Sequence, residues 1–173
     1  MESVTSIKPL LAVLVSVLAV PLIASAGRPN LREFWTFAAA AVKLGIVASM
    51  LPAVSTGQGL TLTLVEVLPG VPLAFRVDAM GLLFALVSSS LWIVTSAYSI
   101  GYMRGLDEHA QTRYFCFFAL ALSATVGVAF SANLLTLYLF YEMLSFATYP
   151  LVTHHQDDEA RRSGRKYLIY IVG

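Results

Sequence analysis

The stretch Asn133–Val152, NLLTLYLFYEMLSFATYPLV, carries one charge in twenty residues. Wound as an α-helix it is about 30 Å long, which matches the hydrocarbon thickness of a bilayer. The charge is Glu142, close to the midpoint. A carboxylate at that depth costs several kcal/mol unless it finds a partner, water or a proton, and intramembrane acids mark ion or proton pathways by default. A protonated acid hydrogen-bonded to a neighbouring helix, holding a bundle together, is the plainer alternative. Either way the segment reads as a membrane helix, and the rest of the chain is read around it.

Composition agrees. Hydrophobic residues make up 58% of the 173 positions, charged residues 12%, and the mean hydropathy is +0.76. Soluble domains are nearer half apolar and a quarter charged, so the composition predicts an all-α polytopic membrane protein. The net charge of +1 says nothing about partners, but no basic patch interleaved with aromatics is present, so a nucleic-acid partner is not expected. Cys116 is the one cysteine and lies inside an apolar run, so it reads as a small packing residue. The sequence has no glycine-rich phosphate loop and no nucleophile-and-base arrangement. Soluble-enzyme chemistry is not expected, nor is a cofactor or a metal.

Five runs are long enough to span: Leu10–Ala26, Phe34–Val54, Met80–Tyr98, Tyr114–Ala132 and the Glu142 segment. A sixth begins near Tyr167 as YLIYIVG and stops at Gly173. Two turns do not cross a bilayer, so the chain reads as the front part of a longer protein, or as one whose last helix another subunit completes. Ala24-Ser25-Ala26 resembles a signal-peptidase site, but the loop charges argue against cleavage. Alternate loops place Arg28, Arg32, Arg104, Arg113, Arg161, Arg162, Arg165 and Lys166 on one side, and only Lys8 and Arg76 on the other. With the first helix retained and the N-terminus outside, the first group is cytoplasmic, as the positive-inside rule prefers; cleavage would reverse it. The expected location is the cell's inner (plasma) membrane.

Two loops carry further pattern. In GLTLTLVEVLPGVPLAFRVD, Gly59–Asp78, apolar and polar residues alternate on both sides of Pro69-Gly70, which predicts an outer β-hairpin between helices two and three. Its prolines confine it to an edge or a distorted strand. In THHQDDEARRSGRK, acids precede bases, and Asp157–Lys166 could extend the sixth helix with its acids at the N-terminal end. His154 and His155 are adjacent, so on a helix they diverge by about 100° and suit a solvated loop better than a metal site.

Lys43, in FAAAAVKLGIVASM, is the other mid-membrane charge. An ammonium there wants water or an acid. An ion pair with Glu142 is the simplest closed account; a lysine facing an interface or a lipid headgroup is the other.

The order of motifs FRVDAMGLLFALVSSSLWIVTSAYSIGYMRG, QTRYFCFFALAL, the run with FYE at its centre, and EARRSGRKYLIY resembles the antiporter-like membrane subunits, from about Phe75 to Gly173. These include the D-type subunits of the Mrp-type multisubunit cation/proton antiporters, to which GRKYLIY and QTRYF bring the chain closest, and the proton-pumping subunits of respiratory complex I. The resemblance implies a fold of about fourteen transmembrane helices with two inverted repeats, each holding a broken helix. It implies residues 1–132 as helices one to four with the hairpin at 59–78, and residues 133–173 as the start of the proton-conducting core. It gives Glu142 the place of the family's helix-five glutamate and Lys166 that of a lysine at the cytoplasmic start of helix six. The glutamate's family partner is a lysine on a seventh helix, which these residues do not include, and Lys43 matches no functional position of the family.

The implied function is part of a proton-translocating subunit of a monovalent cation/proton antiporter. Its implied partners are other membrane subunits, the lipid bilayer, protons and, as the candidate cation, sodium. A proton-pumping subunit of a complex I-like quinone reductase or membrane hydrogenase is the alternative, and a non-transporting scaffold a third. The chain is thus expected to be a transporter subunit, not itself an enzyme. Tyr138, Tyr141 and Ser145 lie within one turn of Glu142 and are its candidate hydrogen-bonding neighbours.

Overall fold

Why helices pair as they do in this protein is visible in the spacing of their buried residues. In the computed structural model, which describes residues 3–105, 110–153 and 158–172, helix α1 (Lys8–Ser25) buries Ala12, Val13, Ser16, Ala19 and Ile23. Helix α2 (Pro29–Ala48) buries Arg32, Thr36, Ala40, Lys43 and Val47. After a short helix α3 (Leu51–Ser55) and two strands, helix α4 (Ala79–Gly105) buries Leu82, Ala85, Ser89, Trp92, Ser96, Ser99 and Met103. Steps of three and four residues, with Ala12 and Val13 side by side on α1, place each set on one stripe of its helix. Much of the α1 and α4 stripes is alanine or serine, and small residues let backbones approach where lipid supplies no hydrophobic drive.

Helix α5 (Gln111–Ala129) closes the group: α1 packs on α2 and α5, and α4 packs on α2 and α5. Helix α6 (Leu134–Val152) lies against α5, and α7 (Asp158–Val172) against α6. The four-helix group has two apolar cores. One, with Val13, Val47, Met50, Phe75, Leu82, Val126 and Phe130, lies at the strand end; the other, with Ala19, Ile23, Ala40, Trp92, Phe115 and Ala119, lies nearer the opposite end.

The hairpin forms as the alternation predicts. Strand β2 (Gly59–Leu68) pairs antiparallel with β3 (Val71–Val77), Leu68 opposite Val71, around Pro69-Gly70. Gly70 has φ +78°, a left-handed value that suits glycine after a proline in a two-residue turn. Irregularities between Thr63 and Val65 and between Glu66 and Leu68 accompany Pro72, which pairs with Glu66 and has no N–H to give. A third strand, β1 (Ser3–Thr5), pairs parallel with β2 at Gly59–Thr61. Three residues are too few to show alternation, so no local pattern announces this strand.

Several boundaries differ from expectation. The second apolar run is broken: α2 ends at Ala48 and α3 starts at Leu51, because Pro52 has no N–H for the Ala48 carbonyl. The fourth run leaves the helix at Ala129 instead of continuing to Ala132. Residues 130–132 pair with the outer side of β3 instead: Arg76 N donates to Phe130 O (2.7 Å) and Ala132 N to Ala74 O (3.0 Å). The last helix begins at Asp158, far ahead of Tyr167; Asp157, with His154 and His155, lies outside the described residues. Among the described residues, four segments are long and apolar enough to cross a membrane: Lys8–Ser25, Pro29–Ser55, Ala79–Gly105 and Gln111–Ala129. The expected fifth, α6, is not among them. It has nineteen residues, and Glu142, three tyrosines and Pro150 offset its leucines.

Candidate site on the sixth helix

Glu142 is placed by the way α6 is bolted to the hairpin. Asn133 caps the helix, its side chain accepting from Thr136 N (2.9 Å) while its Nδ2 donates to Pro72 O (2.6 Å). Thr136 Oγ1 accepts from Ala74 N on β3 (3.1 Å). Phe140 then fills the space beside Gly127 on α5 and lies 5.5 Å from the Phe75 ring. Glu142 is two residues further on, about 200° around the helix, and so points away from α5.

Tyr149 lies two turns after Glu142, on the same side of α6, and packs close to Gly164 of α7. Thr148 Oγ1 and Tyr167 Oη share a 2.5 Å hydrogen bond, so α7 runs back along α6. The glutamate is half-buried on this side. Among the described residues it has no hydrogen bond or ion pair. A cleft of about 520 Å³ along the first half of α6 is lined by Val71, Leu134, Leu135, Leu137, Tyr138 and Tyr141, without Glu142.

The candidate neighbours do not close around the carboxylate. Ser145 Oγ donates to Tyr141 O (3.1 Å), the backward bond usual for a helical serine. Tyr138 and Tyr141 are exposed, and so is Lys166 on α7.

Lys43 is engaged elsewhere. It is fully buried between α1, α2, α4 and α5, and its Nζ donates to Ser16 Oγ (2.8 Å) and to Leu122 O (2.9 Å). The ring of Trp92 lies 5.5 Å from the same nitrogen. The ion pair with Glu142 is therefore not formed: Lys43 is inside the four-helix group, and Glu142 faces away from it across α5. Sequence reasoning missed Ser16 and Trp92. The one signal available was Ser16 itself, the sole hydroxyl in the interior of an otherwise apolar first helix.

The two ends of the bundle differ in charge. The α1–α2 turn meets the start of α5 and the end of α4. Arg32 donates to Gln111 Oε1 (2.6 Å) and Thr112 Oγ1 (3.2 Å), with Phe115 beneath its guanidinium. Arg104 grips Glu33 through two hydrogen bonds, 2.8 and 2.7 Å, and also reaches Asn30. Lys8 is at the other end, donating to Ser49 O (2.9 Å), with Arg76 on β3.

No family model matches the chain. Over 96 residues, 55% of its length, it is 34% identical to the Na(+)/H(+) antiporter subunit A1 of Staphylococcus aureus, in strain bovine RF122 / ET3-1 and equally in strain JH9. The match spans 12% of those relatives. They are of the A type, where the motif order suggested the D type. Among solved structures, the chain is similar to a chain of the membrane-bound sulfane sulfur reductase (MBS), an archaeal respiratory membrane complex, with a TM-score of 0.75 and 16% identity. That similarity covers 91% of this chain and 24% of the other, and it concerns the fold. Apolar helices make this a multi-pass membrane protein, similar over 96 residues to Na(+)/H(+) antiporter subunits A1.

Proposed function

We propose that the chain is part of a proton-translocating subunit of a multisubunit monovalent cation/proton antiporter. The observation that carries the reading is Glu142: an acid halfway along a capped, anchored helix, half-buried and without a partner among the described residues. A scaffold would pair such a group or omit it, since its burial is costly. An open carboxylate suits a site that binds and releases a proton, or one that holds charge opposite a basic group on another helix or subunit. In low dielectric the charge states of such neighbours depend strongly on each other.

In this reading α6 is a fifth span, α7 the start of a sixth, and residues 133–173 the beginning of the conducting core. The hairpin and N-terminus face outward, the arginine-bearing end faces the cytoplasm, and the membrane is the plasma membrane. Lys166 assists at the cytoplasmic entrance, sodium is the exchanged cation, and other membrane subunits complete the path. The Staphylococcus aureus relatives support the antiporter assignment by their name. A second reading, a proton-pumping subunit of a redox-driven complex, draws on the likeness to the respiratory MBS complex, which extends over 91% of the chain. Neighbouring genes separate the two: small antiporter subunits in one case, iron-sulfur and flavin subunits in the other.

The test is transport and membrane abundance of Glu142→Gln, Glu142→Asp and Glu142→Ala in the native assembly. Gln keeps the shape and hydrogen bonding but cannot change charge, so it should assemble normally and lose at least tenfold in proton flux. Asp should retain part of it. Wild-type flux in the Gln variant would remove Glu142 from the pathway and leave the scaffold reading.

A further inference from the structure

Several helical hydroxyls in this chain donate to a carbonyl one turn back: Thr36 to Arg32, Thr125 to Ala121, Ser145 to Tyr141, Thr148 to Leu144. Ser89 and Ser96 on α4 do not. Each is 1% exposed, and neither their hydroxyls nor the Trp92 Nε1 between them have a partner among the described residues. An unpaired buried polar group is costly, so three on one stripe require an explanation. Spaced by three and four residues, they share the α4 face that brings Trp92 to Lys43.

Lys43 sits eleven residues from Arg32, about 16 Å along α2 and near mid-membrane. No carboxylate accompanies it among the described residues. Around its amino group α1 contributes Ser16, α4 contributes Trp92, and α5 contributes the Leu122 carbonyl. The titratable and charged groups on these helices are Lys8 on α1, Arg32 and Glu33 on α2, Tyr98, Tyr102 and Arg104 on α4, and Arg113, Tyr114 and Cys116 on α5. Each lies at least six residues along its helix from the residue that touches Lys43. Two acceptors saturate the two N–H groups of a neutral amine, and the additional N–H of an ammonium is covered by the Trp92 ring. The cage accommodates both forms.

From Trp92 the polar stripe continues toward the arginine-bearing end. Ser96 is followed one turn later by Ser99, whose Oγ is 3.1 Å from Tyr114 Oη. Both Ser99 and Tyr114 line a cleft of about 340 Å³ with Tyr98, Tyr102 and Met103. We propose that Lys43 is a proton-exchanging site inside the four-helix group, reached from the arginine-bearing end along Ser96, Ser99 and Tyr114. The ammonium gives its proton to a water molecule and becomes an amine. Each hydroxyl or water in line then accepts one proton and passes on another, until one reaches solvent at the cleft; uptake is the reverse. Only the contribution of this site to transport rests on the function proposed above. Proton exchange at Lys43 is measured independently.

The chain has three lysines, Lys8, Lys43 and Lys166, so ¹⁵Nζ-lysine labelling gives three signals in bilayers, and Lys43→Arg assigns the buried one. Magnetisation should pass from bulk water to Lys43 Nζ, and Ser96→Val with Tyr114→Phe should slow the transfer at least tenfold without changing Lys8 or Lys166. A Lys43 signal that exchanges no magnetisation with water would overturn the site in the unmodified protein. Unchanged transfer in the double variant would overturn the route. In the native assembly Lys43→Met, which fills the volume without a titratable group, should lower proton flux at least tenfold at normal abundance. Full flux there refutes a transport role for Lys43, whatever the Glu142 variants do.

Discussion

Phe140 on α6 packs into the space that Gly127 leaves on α5, and a methyl group at position 127 would overlap its ring. The contact sets the distance between α5 and α6 and the rotation of α6 that turns Glu142 away from the four-helix group. Gly127→Ala should therefore destabilise the protein by about 1–3 kcal/mol through overpacking. Phe140→Leu in the same chain should recover part of that loss by vacating the ring position. Thermal unfolding in detergent, followed for the two single variants and the double, measures the coupling. Strict additivity would show that the two residues do not share this contact.

The Arg104–Glu33 pair ties the end of α4 to the second turn of α2. Arg104 is 46% exposed and Glu33 13%, so the pair is partly screened despite its two-pronged geometry. A double-mutant cycle with Arg104→Gln and Glu33→Gln should give a coupling of about 0.5–1 kcal/mol, falling as salt is raised. A coupling that salt does not affect would contradict the electrostatic account.

Topology gives a third test. The structure brings Arg28–Arg32 and Arg104 to one end, and the proposed orientation makes that end cytoplasmic. In a Cys116→Ala background, single cysteines at Arg28 or Gly105 should resist an impermeant thiol reagent in intact cells, whereas one at Gly70 in the hairpin turn should react. Labelling of the Gly105 position from outside would invert the assignment of both ends.

Composition and periodicity made the membrane helices and the hairpin legible in the sequence. Apolar runs must be helical in lipid to satisfy their own backbones, and period-two alternation around Pro69-Gly70 needs no distant partner to be read. Glu142 was equally legible, because one acid in twenty apolar residues stands out without any structure. The tertiary structure decided what no local pattern encodes: that residues 130–132 leave a helix to pair with β3, that β1 joins the sheet, and that α6 presents Glu142 away from α5. It also decided the surroundings of Lys43. Two opposite charges at similar depth suggested an ion pair, but depth fixes only the position along the membrane normal. Whether two side chains meet depends on which helices are neighbours and how each is rotated about its axis, and that is set by small residues and ring contacts such as Gly127 against Phe140.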